Sequence, residues 1–263
     1  RFAENQYDYI GYENDYGSAT YTGWIDLFGW GTSGYHNPDD IYNTRYHPYD
    51  YSQSTSSNSY NITGYGPSIN MPSTDLTGSS ANYDWGVYNA ISNGGNTPGL
   101  WRTLTNSEWI YLWYTRQGST INGTENARYT AIRIEGHGCG VLLFPDNFTW
   151  PLTNKYPSNI NDYRGIARDI DTPAPNNFTY DEYKVLEEAG CVFLPAAGIR
   201  IAVNSPYLTG NHGHYWSSSA YLDYSSMAQS YAAHFQTFML FSPDGLNGRQ
   251  YGRSVRLVQD ATN

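Results

Sequence analysis

The stretch YWSSSAYLDYSSMAQSYAAHFQTFMLFSPDGLNGRQYGRSVRLV, from Tyr215 to Val258, has regular ends and an irregular interior. Its first residues, Tyr215 to Ser218, and its last, Ser254 to Val258, are typical of strands, and the last alternate apolar and polar residues as a half-buried strand does. The interior mixes Tyr, Asp, Ser, His, Gln and Asn without a helical period. The two ends predict a structural frame, and the interior predicts a surface that this frame displays.

The interior also predicts one strand between two loops. Successive side chains of a strand point to opposite faces, which divides the residues from 231 to 236 into two sets. We expect one set to point inward: Tyr231, Ala233 and Phe235. We expect the other set to point outward: Ala232, His234 and Gln236. The flanking residues from Ala220 to Ser226 and from Phe238 to Arg253 are predicted loops, the second because it contains proline and several glycines.

Composition limits the classes of function. Of 263 residues, 39% are hydrophobic but only 14% are charged, below the roughly 25% of an average domain. The 27 tyrosines exceed what one core needs, so we predict exposed rings, which suit recognition surfaces. The net charge of -10 argues against a nucleic-acid partner, because phosphate contacts need clustered Lys and Arg. No run approaches the roughly eighteen apolar residues of a membrane span, so we predict none in this chain.

The chain changes character near Asn82. Residues 1 to 81 are rich in Tyr, Gly, Ser, Asn and Asp, and we predict a loop-rich part in which Tyr46 to Ser80 form an ordered surface insertion. Helix and strand signals follow only after it. We interpret residues 1 to 263 as one domain, with residues 215 to 258 as its display segment.

Three helices and several strands are predicted after Asn82. A helix from Asp84 to Ser92 would end at Gly94-Gly95. The capping-box spacing of Thr105 to Glu108 predicts a helix to about Arg116, and the same device at Thr179 to Glu182 predicts a helix that ends at Gly190. Apolar runs predict the strands: Ala131 to Glu135, Val141 to Phe144 and Val192 to Leu194. Few helices and many short strands indicate an α+β fold.

Five segments in this order resemble bacterial C-type-lectin-like domains: LWRTLTNSEWIYL (Leu100 to Leu112), GVLLFPDNF (Gly140 to Phe148), EEAGCVFLPAAGIR (Glu187 to Arg200), HYWSSS (His214 to Ser219) and GRSVRLV (Gly252 to Val258). With the openings RFAENQYDYIGYEN and WIDLFGWGTSGY, they look like a paralogous surface-protein family of anaerobic gut bacteria, which includes variable proteins diversified by retroelements. They are distantly similar to the formylglycine-generating enzyme fold. The resemblance implies a C-type-lectin-like fold with short mixed strands, two to three helices and long irregular insertions.

The resemblance implies a ligand-binding or adhesion domain at a bacterial or phage surface, extracellular or on the cell surface. The partner would be a protein or a glycan, with no cofactor and no enzymatic activity. The predicted binding face comprises Tyr221, Leu222, Asp223, Tyr224, Ala232, His234, Gln236, Phe238, Leu246, Asn247, Gln250, Tyr251 and Arg253. In diversified relatives, mutation of Asn-type codons at adenines gives residues such as Tyr, Asp, Ser and His. Gln236, Met239 and Gln250 cannot arise in that way, so both a diversified and a merely paralogous copy stay open.

Two groups of residues have the composition of metal sites. His137, Cys139, His212 and His214 could supply zinc ligands, but the pairs lie far apart in sequence and a structural role is favoured. Carboxylates at Asp39, Asp40, Asp169 and Asp171 could bind calcium, but no loop shows the ligand alternation of an EF-hand. We therefore assign no metal ligand.

Arginine and tryptophan residues in the apolar segments are predicted to be structural. We expect Arg102 and Arg256 to form buried pairs or backbone bonds and not to bind substrate. We expect four tryptophans to belong to the core and not to a sugar-binding platform: Trp101, Trp109, Trp113 and Trp216.

The two cysteines, Cys139 and Cys191, each precede an apolar strand, so one disulfide and two buried thiols both stay open, the thiols being favoured. A reactive thiol would favour an alternative function, a divergent enzyme on the formylglycine-generating fold. Buried thiols are usually inert and disfavour it. A further alternative is a structural subunit of a pilus or surface layer, in which the same face would be buried against a fixed partner.

Overall fold

The secondary structure from Asp75 onward follows most of the capping and strand signals of the sequence. The structure is a computed structural model, which describes residues 3–9, 27–33, 35, 75–162, 176–199, 208–221, 229–236, 239–249 and 251–260. The side chains of Gln236 and of residues 239–247 lie outside this description. So do residues 46–74, which form most of the predicted surface insertion.

Two of the three helices begin and end as predicted. A 3-10 helix (Gly78–Tyr83) precedes α1 (Trp85–Tyr88), α2 (Asn106–Ile110) continues as a π-helical turn (Tyr111–Thr115), and α3 spans Tyr180–Glu188. Capping boxes at Thr105 and Thr179 begin α2 and α3, and both are complete. After α3, Gly190 has a φ of 92°, which favours glycine at this helix end.

Helix α1 is shorter than predicted. It ends at Tyr88 because Asn89 adopts an extended conformation and its side chain donates to the carbonyls of Ser33 and Trp85. The predicted continuation to Ser92 is therefore wrong. Polar Asn89 satisfies a carbonyl at the helix end and one in the distant segment 27–33, so a tertiary contact stops the helix before Gly94.

The strands, in chain order, are β1 (Arg102–Thr103), β2 (Ser119–Ile121), β3 (Thr124–Ala127), β4 (Tyr129–Ile134), β5 (Gly138–Leu143), β6 (Asn177–Phe178), β7 (Val192–Pro195), β8 (His212–Tyr221), β9 (Gln229–Gln236), β10 (Met239–Gly248) and β11 (Leu257–Val258). The three predicted apolar strands are confirmed as β4, β5 and β7. Together with the helices, they confirm the α+β class.

A four-stranded sheet in the order β6-β4-β5-β7 forms the centre of the protein. Alternate residues of its strands face two different apolar clusters. Cys139, Val141 and Leu143 of β5 pack with Trp109 and Trp113 of the α2 region. On the other face, Leu142 and its neighbours pack with Tyr183 and Leu186 of α3. The sheet therefore separates two cores, as expected for strands buried on both faces.

A three-stranded antiparallel sheet in the order β10-β9-β8 extends the first of these cores. Residues 215–221, 229–236 and 239–248 of the display segment lie in this sheet. The predicted loop from Phe238 to Arg253 is wrong over residues 239–248, which form β10 and pair with β9 despite irregular register. The bulges accommodate the turn-forming residues that indicated a loop.

The return of the chain after Gly252 is less regular than predicted. Ser254 bridges Tyr215, Arg253 bridges Phe28, and only Leu257–Val258 form a strand, paired with β1. In the described ranges, no helix has the length and apolar character to cross a membrane.

Candidate ligand-binding site

The first end of the display segment lies in β8, and hydrogen bonds to distant parts of the chain hold it in place. Tyr215 donates its hydroxyl to the carbonyl of Pro195 at 2.7 Å. The indole of Trp216 donates to the carbonyl of Phe28 at 2.8 Å, and the Trp216 amide donates to Ser254 at 2.9 Å. The Ser218 amide donates to the carbonyl of Leu104 at 2.8 Å. All these side chains are buried, so the expectation that Tyr215 and Trp216 belong to the core is confirmed.

The other end of the display segment is joined to the same place. Arg253 exchanges two backbone hydrogen bonds with Phe28, at 2.7 and 2.9 Å, and the Ser254 amide donates to the carbonyl of His214 at 2.8 Å. The two ends of the display segment are thus hydrogen-bonded to each other, and both are hydrogen-bonded to Phe28. The residues between them are held at two fixed points.

Arg253 belongs to this attachment and not to a surface. Its side chain is only 4% exposed, its Nη1 lies 3.0 Å from Nδ1 of His214, and its guanidinium stacks over the ring of Trp216. The prediction that Arg253 is part of the binding face is therefore wrong. The neighbouring Arg249 is buried in the same way: it stacks over Trp30, and burial lowers its pKa to about 10.

Ala232 is also misplaced by the prediction. It is 0% exposed and packs with Trp30, Trp216 and Ala220 in a third apolar cluster. The alternation of β9 holds, because Ala233 and Phe235 face the first core. However, the segment 27–33 covers the opposite face, so both faces of this part of β9 are buried. Tyr231, which was expected to point inward, is half-buried.

Three histidines form a row across β8 and β9. The rings of His212 and His214 are 5.8 Å apart, and those of His214 and His234 are 5.3 Å apart, each pair nearly parallel. Burial and the adjacent Arg253 hold the pKa of His214 well below its usual range, and burial lowers the pKa of His212. Because the arginine donates, Nδ1 of His214 accepts and its proton sits on Nε2. His212 and His214 are therefore neutral near pH 7, and the predicted binding residue His234 is half-buried at the end of the row.

The residues considered as metal ligands are not brought together in the described ranges. His137 packs against Tyr7 and Tyr180, with ring centroids 4.3 and 5.1 Å apart, and is not part of the histidine row. In the described part of the chain, no group of three His, Cys, Asp or Glu is placed to hold a metal ion. Asp39, Asp40, Asp169 and Asp171 lie outside the described residues.

Besides His234, two predicted binding residues with described side chains have a ring of intermediate exposure. These are Tyr221, which meets Tyr231 edge-on with centroids 5.3 Å apart, and Tyr251. Tyr231 is an addition that the predicted inward orientation had missed. Leu222, Asp223, Tyr224, Phe238 and Gln250 lie outside the described residues. For Gln236, Leu246 and Asn247 only the backbone is described: Gln236 pairs with His212 and Met239, and Asn247 pairs with Ser230.

The two cysteines are free and buried, and the geometry explains why they do not pair. Strands β5 and β7 are indeed neighbours, but they run antiparallel, with Gly140 opposite Pro195 and Leu143 opposite Val192. Cys139 precedes one end of this pairing and Cys191 precedes the other. They face separate cores, and burial raises the pKa of Cys191 to about 12.

The remaining structural expectations are largely met. Trp109, Trp113 and Trp216 are core residues, whereas Trp101 is only half-buried and lines a cavity. Arg102 forms ion pairs with Glu108 and Asp260, as expected of a structural residue. Arg256 donates to the side chain of Gln6 at 2.9 Å, and no carboxylate among the described residues forms an ion pair with it.

Comparison of the chain with models of protein families, with curated proteins and with solved structures finds no match. The assignment of function therefore rests on the residues and contacts described above.

Proposed function

We propose that this protein is a C-type-lectin-like ligand-binding or adhesion domain of a bacterial or phage surface, and that it binds a protein or glycan through its display segment. The observation that carries the proposal is the fixation of both ends of that segment. Ser254 and Arg253 bond to His214 and Phe28, while the rings of Tyr221, Tyr231 and Tyr251 stay half-exposed between these points. Half-exposed aromatic rings that are attached to a rigid backbone lose less entropy on binding.

The corrected binding face excludes Ala232 and Arg253, which are buried. It retains Tyr221, His234 and Tyr251, adds Tyr231, and keeps the predicted residues whose side chains lie outside the description. Tyrosine suits such a face because its ring buries a large area with few rotatable bonds, while its hydroxyl orients the partner.

The state of the thiols supports binding over the enzyme alternative. A reactive cysteine needs a lowered pKa and access to solvent. Both cysteines are buried, and burial raises the pKa of Cys191. Iodoacetamide should therefore leave both thiols unmodified in the folded protein, and rapid modification of either one would count for the enzyme.

The proposal is tested with glycan and surface-protein arrays, on which the wild-type chain is compared with a Tyr221→Ala/Tyr251→Ala variant. A retained ligand should bind the variant about five- to a hundredfold more weakly, the loss expected for one or more interface aromatics. Tyr111→Ala is the matched control, since Tyr111 is 49% exposed and lies outside the display segment. A ligand that binds the double variant as well as the wild type and loses affinity with the control would refute the assignment.

A further inference from the structure

A cavity of about 250 Å³ lies between residues 3–8, the loop 91–101 and residues 254–257 at the end of the display segment. None of the predicted binding residues lines it. The residues that line it include Phe28, Trp101 and Arg256, together with Asn5 and Asp8. Its volume is below the usual range for drug-sized ligands and suits a single small ring.

Arg256 is the unusual member of this lining. Its Nη2 donates to Oε1 of Gln6 at 2.9 Å, and among the described residues no carboxylate forms an ion pair with it. Gln6 separates it from Glu187, whose carboxylate already accepts from Gln6, Tyr183 and Lys184. By contrast, Arg102 meets two carboxylates at 2.6 Å. A guanidinium has five N–H donors, so Arg256 has spare donors beside the cavity.

The part of the cavity wall that Trp101 forms is held in a fixed position. The indole of Trp101 donates to the carbonyl of Gly94 at 2.6 Å. A β-carbon on residue 94 would lie 2.5 Å from that indole nitrogen, so glycine permits this close approach. The ring is therefore held in one orientation while remaining half-buried. Asn93 donates to the backbone of Ala3 and Glu4, which joins the N-terminal segment to the same wall.

We propose that this cavity binds one uronic acid residue, with its carboxylate on Arg256 and a face of its sugar ring on Trp101. Arginine binds carboxylates through parallel N–H donors, and burial strengthens such a pair. The C–H groups on one face of a pyranose present an apolar surface that packs against an aromatic ring. Asn5 and Asp8 at the same opening provide acceptors and an amide for the sugar hydroxyls. This site does not depend on the binding face of the display segment.

The test compares acids with their neutral counterparts. D-glucuronate and D-galacturonate are titrated into the full chain, with D-glucose and D-galactose as matched sugars, and binding is followed by ligand-observed NMR and by Trp fluorescence. At least one uronate should bind at about millimolar Kd and about tenfold more tightly than its neutral sugar. Neutral sugars that bind equally well would overturn the proposal. So would binding of N-acetyl-phenylalanine in place of either uronate, which would make the site one for peptide carboxylates.

Variants connect the binding to the cavity. Arg256→Gln removes the charge but keeps a side-chain amide for Gln6, and it should weaken uronate binding about tenfold or more. Glu4→Gln removes an exposed negative charge at the opening and should leave affinity unchanged or increase it about twofold. Tyr111→Ala, outside both the cavity and the display segment, should have no effect. Uronate binding that survives Arg256→Gln overturns the proposal, and if that variant does not fold, the acid-to-neutral comparison in the wild type decides it.

Discussion

Strand β5 of the central sheet is buried between two apolar clusters, whereas strand β8 of the three-stranded sheet lies between two clusters and also buries polar side chains, among them His214 and Ser217. In the central sheet, Val141 and Leu142 face opposite cores that are both hydrocarbon-rich. In the second sheet, buried polar residues such as Ser217, Ser230 and His214 each form a hydrogen bond to a backbone group or to one of two buried arginines. Apolar packing tolerates substitutions of similar volume, but a buried polar network is costly when one partner is lost.

The comparison predicts its largest effect at Trp216. Trp216→Ala should lower the free energy of unfolding by about 3 to 5 kcal/mol, because it opens a cavity in the third cluster and removes the indole bond to Phe28. Phe193→Ala in the central sheet should cost a similar amount by packing alone. Trp216→Phe separates the two contributions: it keeps an aromatic ring and should cost about 1 to 3 kcal/mol. Urea denaturation measures the free energy of unfolding of all three variants. An unchanged midpoint for Trp216→Ala would mean that this end of the display segment does not belong to the core.

A second prediction concerns the buried arginines. Arg249→Met should cost about 2 to 4 kcal/mol, because it leaves the carbonyl of Gln229 and the hydroxyl of Ser230 without their donor and removes the stacking on Trp30. The matched control is Arg102→Met, which breaks a half-exposed ion pair and should cost about 1 kcal/mol or less. Equal losses for the two variants, measured by urea denaturation, would contradict the distinction between the sheets.

The third prediction is a pH dependence specific to the second sheet. His214 has a folded-state pKa well below its unfolded value, and it faces His212, His234 and Arg253. The unfolded chain therefore binds a proton more readily, so stability is complete above about pH 6.5 and falls as the pH decreases below it. The loss approaches about 1.4 kcal/mol per pH unit for each such histidine. His214→Asn keeps an acceptor for Arg253 and should flatten the slope of unfolding free energy between about pH 6.5 and 5; an unchanged slope would place the effect elsewhere.

The smallest expected effect lies at the rim of the second sheet. Tyr221→Ala and Tyr251→Ala should each change the free energy of unfolding by about 0.5 kcal/mol or less, because both rings are half-exposed. Thermal denaturation of the two variants checks this against Trp216→Ala. A loss as large as that of the tryptophan would mean that the tyrosines belong to the core and are not available to a ligand.

Local signals explain what could be predicted from the sequence. The capping boxes at Thr105 and Thr179 act within four residues, and the aliphatic runs of β4, β5 and β7 are buried whatever covers them. Ala232 and Arg253 were assigned wrongly because their burial depends on residues 27–33, more than two hundred positions away. The cavity was missed for the same reason: Gln6, Trp101 and Arg256 meet only in the folded chain.

The contact between Gln6 and β7 bears on association between copies of the chain. Strand β7 is an edge of the central sheet, and an unpaired amide at such an edge invites another strand to add. Oε1 of Gln6 accepts from the outward amide of Phe193 at 2.9 Å, and Pro195 at the end of the strand has no amide to offer. The contact with Gln6 thus occupies an edge amide that a strand of another copy could otherwise use.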